Sequence, residues 1–366
     1  MRNLQGWSAA ALRLRLCLHP VRGKTLAQRV SHAVSSYAPV GYCAGVSSHG
    51  AQPQFVWGGE AVVGERAVQR DTVFRVASVS KMLGAAAVLH LARAGRLDLD
   101  GDVGEILGFP IRPAITPRQL LTHTAALCDG AYNLAAEAGD FPPLDVLLEK
   151  SRCAYPPGTR FAYSNLGAGV AGMLVEAVAG VTFDEYIRGA FFRPLGVDAS
   201  FHPQHIERKE QLANCYRVPG RTLSYDAQKI AAQPLDEAPD PLRHYYIPAG
   251  KLMISAPALV EVLGGLVRRF PEMYARQDHI GSVRCDARRG LGMALAGDVF
   301  RRGMTFVGHQ GQAYGAVCEA WANPQDSTVA VFLSNGSALK TTGALQRIGQ
   351  DAIAALFSWA YEGEKQ

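Results

Sequence analysis

Strand-like segments occur only near the two ends of this chain, and this placement is what most limits the fold. Residues 40–47 and 55–63 carry the apolar and β-branched runs of two strands, separated by a polar turn. Residues 315–322 and 328–334 form a second pair around a turn-rich connection. Strands joined by short turns pair antiparallel. We therefore predict one mainly antiparallel sheet built from both ends of the chain.

Helical periodicity surrounds and separates these strands. Residues 24–36 and 342–361 are amphipathic and are expected to cover the sheet, whereas residues 101–279 contain short helical pieces separated by Pro and Gly. The predicted fold class is α+β, a mainly antiparallel sheet flanked by helices with a largely helical insertion. We expect residues 24–100 and 280–366 to form the sheet domain and 101–279 a mostly helical domain, with the active site between them.

The excess of positive charge is confined to the start of the chain. Six of the 37 basic residues precede Glu60, the first acidic residue, which leaves 31 basic against 32 acidic residues in the body. A neutral body argues against a nucleic-acid partner. No apolar run reaches the roughly 18 residues of a membrane span. Residues 1–23 are interpreted as a basic leader outside the core, without a clear signal peptide.

The seven cysteines have no pattern typical of disulfides or of zinc sites. Their number is odd, their spacing is scattered, and no Cys-x-x-Cys pair occurs among them. We predict reduced, mostly buried thiols, which favours a reducing compartment such as the cytoplasm over secretion.

Ser78 and Lys81 form the first candidate catalytic motif. A Ser at a helix start and a Lys three residues later lie on one face, one turn apart. A hydroxyl is a weak nucleophile unless a base removes its proton, and a neutral Lys is such a base. The spacing alone is weak support, because Ser337 and Lys340 repeat it. Ser337 is interpreted as a loop residue after a strand, with little chain left to complete a site.

Two further motifs follow in order. Tyr163-Ser-Asn165 lies 85 residues after Ser78, behind a Pro-Pro-Gly turn and before a helix. His309-Gln-Gly311 lies 231 residues after Ser78, between two strand patterns. On local grounds Asn165 is equally well a helix cap beside a packed Tyr163, and His309 a strand-edge residue.

Together these motifs resemble the serine β-lactamase and penicillin-binding-protein superfamily, and most of all class C β-lactamases, D-alanyl-D-alanine carboxypeptidases and family VIII esterases. The resemblance runs from about residue 40 to 356. Connecting segments share it: Phe74-Arg-Val-Ala-Ser78, Leu120-Leu-Thr-His-Thr124, Pro156-Pro-Gly158, Arg193-Pro-Leu-Gly196, Pro248-Ala-Gly250 and Phe332-Leu-Ser-Asn335.

The resemblance implies a role for each motif. Ser78 would be the acylated nucleophile, and Lys81 and Tyr163 would carry its proton to the leaving group. Asn165 would help to hold Lys81 and the substrate. The third motif would place His309 and Gly311 along the substrate, and the backbone N–H groups of Ser78 and Gln312 would form the oxyanion hole. His123 is interpreted as a structural residue at a helix end.

The predicted function is a serine hydrolase that acts on a small-molecule ester, amide or peptide without a cofactor or metal. By the resemblance, His309 stands where these enzymes carry a Lys, His or Trp. Because His309 lacks the permanent charge of a Lys, we expect esterase-like activity with weak or no β-lactamase activity. The alternatives are an acyltransferase on the same site, a D-alanyl-D-alanine carboxypeptidase or β-lactamase, and a non-catalytic ligand-binding module. Lys251, where a small residue is expected, is either exposed or a charge at the rim of the site. The sequence leaves the oligomeric state open.

Overall fold

The computed structural model describes residues 23–48, 51–235, 238–277, 289–342 and 345–362. The predicted leader lies outside these residues except for Gly23. The described strands are β1 (Gly41–Ser47), β2 (Gln54–Val62), β3 (Arg66–Ala67), β4 (Val73–Arg75), β5 (Cys215–Arg217), β6 (Thr222–Tyr225), β7 (Met253–Ser255), β8 (Ala294–Gly297), β9 (Thr305–Ala313), β10 (Ala316–Ala322), β11 (Val329–Ser334), β12 (Thr341–Thr342) and β13 (Leu345–Gln346).

Seven of these strands form the main sheet. Their order is β3-β2-β1-β11-β10-β9-β8, and every neighbouring pair is antiparallel. The first and last parts of the chain meet in the middle, where Tyr42 of β1 lies opposite Ser334 of β11. The predicted antiparallel sheet is therefore confirmed, and the four predicted strands lie within a residue or two of the expected bounds. Its other three strands, β3, β8 and β9, were not predicted.

Eleven α-helices are described, in addition to short 3₁₀ and π turns. They are α1 (Leu26–Ser35), α2 (Lys81–Arg93), α3 (Val103–Leu107), α4 (Pro117–Leu121), α5 (Gly130–Ala138), α6 (Leu144–Lys150), α7 (Asn165–Ala179), α8 (Phe183–Ile187), α9 (Ala227–Ala231), α10 (Ala256–Arg269) and α11 (Arg347–Glu362).

The two faces of the sheet carry separate apolar cores. On one face α1 and α11 bury residues such as Val30 and Phe357 against Phe306 and Phe332. On the other face α10 packs against the central strands, and its core continues through α2 into α7. Val307 of β9 packs into this second core. His309, two residues further along β9, points to the same face, because alternate side chains of a strand share a face. The candidate site therefore lies on this second face. The chain has the predicted α+β fold.

The cysteine prediction is wrong for one pair. Cys128 and Cys153, 25 residues apart in sequence, form a disulfide. Backbone hydrogen bonds bring their segments together, because the Cys128 amide donates to the Ser151 carbonyl and the Cys153 amide to the Ala126 carbonyl. Sequence spacing gave no sign of this contact. Cys43, Cys215 and Cys318 are buried free thiols, as predicted, and the other two cysteines lie outside the described residues.

Among the described residues, no single helix is long and apolar enough to cross a membrane. One bent pair, Asn165–Ala179 with Phe183–Leu195, meets that test only by combined length and composition.

Candidate active site

Ser78 lies in a 3₁₀ turn, Ala77–Ser80, that connects β4 to α2. Ala77, directly before Ser78, has φ +48°, a left-handed conformation that is uncommon for a residue with a Cβ. Gly250 packs against the Ala77 backbone, since a Cβ at this glycine would lie 3.6 Å from the Ala77 carbonyl carbon. The surrounding structure thus holds the turn in a sparsely populated conformation, which presents Ser78 at the start of a buried helix.

Lys81 contacts Ser78 directly and is only 5% exposed. Its Nζ lies 3.0 Å from Ser78 Oγ, 2.9 Å from Asn165 Oδ1 and 2.5 Å from the Ala249 carbonyl oxygen. A protonated Lys81 has three N–H groups for these three acceptors. A neutral Lys81 has two N–H groups for the two carbonyl oxygens and a lone pair for the Ser78 hydroxyl. The same geometry therefore serves both protonation states.

Asp129 holds Asn165 in this position, although we did not predict it as a site residue. One oxygen of Asp129 accepts hydrogen bonds from the Asn165 backbone amide at 2.7 Å and from Asn165 Nδ2 at 2.9 Å. The other oxygen accepts from Ser164 Oγ at 2.8 Å and from the Leu166 amide at 3.2 Å. Since Asn165 Nδ2 is fixed in this way, its Oδ1 faces Lys81.

Tyr163 lies between charged and imidazole side chains and is 37% exposed. Lys81 Nζ is 5.2 Å from the centre of its ring, and the guanidinium carbon of Arg289 is 5.6 Å from it. The rings of His123 and His309 have their centres 4.6 and 6.1 Å away. His123, which we interpreted as purely structural, thus packs directly on Tyr163 and also accepts a hydrogen bond from the Ser164 amide.

His309 is a neutral imidazole in this environment. It is 2% exposed, and burial, Arg289 and Lys81 together hold its pKa well below the usual value. Its Nδ1 lies 2.5 Å from the Gln310 carbonyl oxygen, which only accepts, so the ring proton is on Nδ1. His309 Nε2 is a buried acceptor without a hydrogen-bond partner among the described residues. The third motif therefore carries no positive charge of its own.

β9 passes directly beside Ser78. A Cβ added to Gly311 would lie 2.2 Å from the Val76 carbonyl oxygen and 3.0 Å from the Ser78 amide nitrogen, so only Gly allows this approach. Gln312 follows, and its side-chain oxygen accepts a hydrogen bond of 2.6 Å from Gln346 Nε2. The backbones of the two predicted oxyanion-hole residues are thereby brought to the same place.

The second Ser-x-x-Lys copy has different surroundings. Ser337 is buried in the loop after β11, and neither Ser337 nor Lys340 lies in a helix. Lys340 Nζ lies 5.6 Å from the ring centre of Tyr37. Lys251 is half-buried, with its Nζ 4.1 Å from the ring centre of Tyr246. It is therefore not fully exposed.

Comparisons with known proteins agree with the sequence motifs. Penicillin-binding protein 4 of Amycolatopsis lactamdurans is 34% identical over 146 residues, which cover 37% of this chain and 37% of that protein. Esterase EstB of Burkholderia gladioli is 32% identical over 165 residues, or 39% of this chain and 42% of that protein. The matched regions thus span well under half of these two relatives.

The fold has a wider match among solved structures. D-amino acid amidase from Ochrobactrum anthropi SV3 has a TM-score of 0.72 over 93% of this chain and 99% of that chain, at 19% identity. At this identity the likeness shows the fold alone. The Beta-lactamase family model matches residues 26–354, so the chain belongs to the Beta-lactamase family, as the motifs predicted.

Proposed function

We propose that this protein is a serine hydrolase that forms an acyl-enzyme on Ser78 and transfers the acyl group from an ester or amide to water. The observation that carries the proposal is the position of Lys81 Nζ, within hydrogen-bond distance of Ser78 Oγ and of two carbonyl oxygens. Membership of the Beta-lactamase family supports it, as do relatives named esterase and structural neighbours named amidase.

In the proposed first step, Ser78 Oγ bonds to the substrate carbonyl carbon while Lys81 accepts the hydroxyl proton. The bond from that carbon to the leaving oxygen or nitrogen then breaks, Tyr163 gives its hydroxyl proton to the leaving group, and Lys81 returns a proton to Tyr163. Water then adds to the acyl carbon while the same pair accepts its proton, and the bond from this carbon to Ser78 Oγ breaks as that proton passes to Oγ, which releases the acid. The N–H groups of Ser78 and Gln312 would stabilise the oxyanion, and one such donor typically contributes about 3–4 kcal/mol to transition-state stabilisation.

Because His309 is neutral, we infer that the better substrates are esters or amides that have no carboxylate next to the scissile bond. A permanently charged Lys would attract such a carboxylate, whereas the unprotonated His309 Nε2 presents a lone pair to it. Penicillins carry this carboxylate. We therefore infer that β-lactam hydrolysis is the weaker activity.

The nucleophile is tested with two matched variants, Ser78→Ala and Ser337→Ala, assayed on 4-nitrophenyl butyrate. Ser78→Ala should lower kcat by about 10³-fold or more, because the covalent route is lost. Ser337→Ala removes an identical hydroxyl from the second motif and should retain activity. Activity that survives in Ser78→Ala would overturn the assignment.

The substrate class is tested by comparing kcat/KM for this ester and for nitrocefin at pH 7, in the natural protein and in Arg289→Met. We expect the ester to be preferred. Faster turnover of nitrocefin than of the ester by the natural protein would contradict the ester assignment. If Arg289→Met then lost this nitrocefin turnover, the Arg289 guanidinium near Tyr163 would be the source of the charge that His309 lacks.

A further inference from the structure

Lys251 is a partly desolvated cation beside Tyr246. In the part of the chain that the structure describes, its Nζ has neither a carboxylate within ion-pair distance nor a side-chain hydrogen bond, and its nearest aromatic contact is the ring of Tyr246. Taking an ammonium group out of water is unfavourable unless another group compensates. A cation–π contact with one Tyr compensates only in part.

Arg75 is a second cation in the same region. Its guanidinium carbon lies 4.6 Å from the ring centre of Tyr225 and 4.7 Å from that of Tyr314, and its Nε donates to the Gly250 carbonyl oxygen at 3.1 Å. Among the described residues it forms no ion pair with an acidic side chain. Arg75 also forms a hydrogen bond with the Tyr225 side chain. The two rings hold the guanidinium plane in place, so the N–H groups that Gly250 and Tyr225 leave over are preorganised for a ligand.

The two cations flank the segment that touches the catalytic residues. The Ala249 carbonyl accepts from Lys81, Gly250 packs on Ala77, and Lys251 follows. Tyr314, which stacks on Arg75, lies two residues beyond Gln312. In the proposed mechanism Tyr163 protonates the leaving group, and Tyr163 lies beside His309 of β9. The leaving group of a bound substrate would therefore lie at the His309 end of the site. Arg75 lies past the other end of this strand and therefore on the acyl side.

We propose that Arg75 and Lys251 form an anion-binding subsite for a carboxylate carried by the acyl group of the substrate. This inference rests on the proposed acyl-enzyme mechanism and specifies its substrate class as esters or amides of dicarboxylic or other acidic acyl groups. Lys251 would supply a point charge and Arg75 a planar pair of donors for the carboxylate oxygens. This subsite is compatible with the neutral His309, because His309 lies on the side of the leaving group and the subsite on the side of the acyl group.

The titration of Lys251 supports the same assignment. Burial, and secondly the charge of Arg75, lower its pKa to about 7. His202 is a further titratable neighbour of Lys251, besides Arg75 and Tyr246. Burial is the main cause that lowers the pKa of His202 to about 4, so His202 is neutral at pH 7. In the free enzyme Lys251 thus loses its charge as the pH rises through about 7. A preference for an anionic acyl group should decline over the same range.

The test compares two esters of equal chain length, the 4-nitrophenyl monoester of adipic acid and its methyl ester, which lacks the charge. The natural protein should prefer the monoester by about tenfold or more in kcat/KM at pH 6.5, as expected for one charge-assisted contact. Lys251→Met should remove most of this preference, and its kcat/KM for the methyl ester should stay within about threefold of the natural value. Lys251→Arg should retain the preference.

Lys150→Met is the matched control, since it removes an identical charge from the exposed end of α6 and should leave the ratio unchanged. Equal turnover of the two esters by the natural protein, or an unchanged ratio in Lys251→Met, would overturn the subsite while leaving the hydrolase intact. Failure of both esters would instead count against the proposed function. The subsite is then tested by equilibrium binding of monomethyl and dimethyl adipate to Ser78→Ala, where stronger binding of the monoanion supports it and equal binding overturns it.

Discussion

Asp129 decides the arrangement of the candidate site without touching Ser78. Among the described residues, the four hydrogen bonds that its carboxylate accepts come from Ser164, Asn165 and Leu166 at the start of α7. It thereby fixes which end of the Asn165 amide faces Lys81. We infer that Asp129 is a positioning residue for the proton transfer from Ser78.

Asp129→Asn keeps the size of this side chain but replaces one acceptor oxygen with an N–H donor. The amide of Asn165 would then turn or shift, so that Lys81 loses a fixed acceptor. We expect kcat to fall by about 10- to 100-fold with little change in KM, because reacting groups are misplaced while substrate contacts remain. Steady-state kinetics measure this split.

Asp145→Asn on the exposed surface of α6 is the control for this prediction and should behave like the natural protein. An Asp129→Asn variant with natural kcat and only a lower melting temperature would show that Asp129 serves the fold alone.

Sequence reasoning found residues of this region that belong to short motifs and missed those that act through tertiary contacts. Ser78 and Lys81 are one turn apart, so their contact follows from helix geometry. Asp129 lies 36 residues before Asn165, and the contact between Cys128 and Cys153 spans 25 residues. Neither contact has a local periodic signal. The sequence offered one hint of Asp129, namely that it is an acidic residue shortly after the Leu-Leu-Thr-His-Thr segment. It offered none of the disulfide.

At the scale of the elements, the proximity of β9 and the turn Ala77–Ser80 is the feature on which the candidate oxyanion hole depends. The strand lies at this distance only because Gly311 has no side chain, and the opposing atoms are backbone atoms that cannot rotate away. Flanking pairs hold the strand in register, with Gln312 opposite Val317 and His309 opposite Ala320.

Gly311→Ala should therefore displace β9 from Ser78 and remove the contribution of the Gln312 amide. We expect kcat/KM for the ester to fall by about 10²-fold or more. Gly303→Ala, at a turn where an added Cβ meets open space but φ is positive, tests a glycine outside the site and should affect stability more than activity. Full activity in Gly311→Ala would exclude the proposed oxyanion hole.

At the scale of the whole molecule, both ends of the chain must come together before the site exists, since β1 pairs with β11 in the middle of the sheet. Apolar and β-branched runs with turn residues between them were sufficient to predict four strands of this sheet and its terminal helices, but not β3, β8 and β9. The predicted division into a sheet domain and a helical domain stays a prediction. The short strands β5, β6 and β7 had no clear pattern, because three or four residues carry too little periodicity.

A buried acid behind the sheet makes the stability of the fold depend on pH. Glu319 on β10 is 2% exposed, and burial raises its pKa to about 8, although Trp321 Nε1 donates to it at 2.7 Å. The folded state thus keeps a proton that the unfolded chain releases near its ordinary pKa of 4.5. The contribution of Glu319 to the free energy of unfolding is therefore largest below pH 4.5 and falls as the pH rises toward 8. Buried His309, whose pKa is lowered, contributes with the opposite sign, so the effect of Glu319 has to be measured against a variant that lacks its carboxyl group.

Urea unfolding of the natural protein and of Glu319→Gln at pH 5 and pH 8 isolates this contribution. The stability difference between the two proteins should change by a few kcal/mol between these pH values, since each pKa unit corresponds to about 1.4 kcal/mol. Glu319→Gln keeps the shape and the acceptor for Trp321 but cannot ionise, so its stability should fall less, or rise more, than that of the natural protein between pH 5 and pH 8. The same change in both proteins would show that Glu319 does not contribute.

The central claim is that Ser78 becomes acylated during turnover. Intact mass spectrometry after rapid acid quenching of the protein with 4-nitrophenyl butyrate, followed by peptide mapping, measures this directly. We predict one butyryl group on the peptide that contains Ser78, no adduct in Ser78→Ala, and an unchanged adduct in Ser337→Ala. Turnover of the ester with Ser78 unmodified at every quench time, together with an active Ser78→Ala variant, would contradict the proposed mechanism.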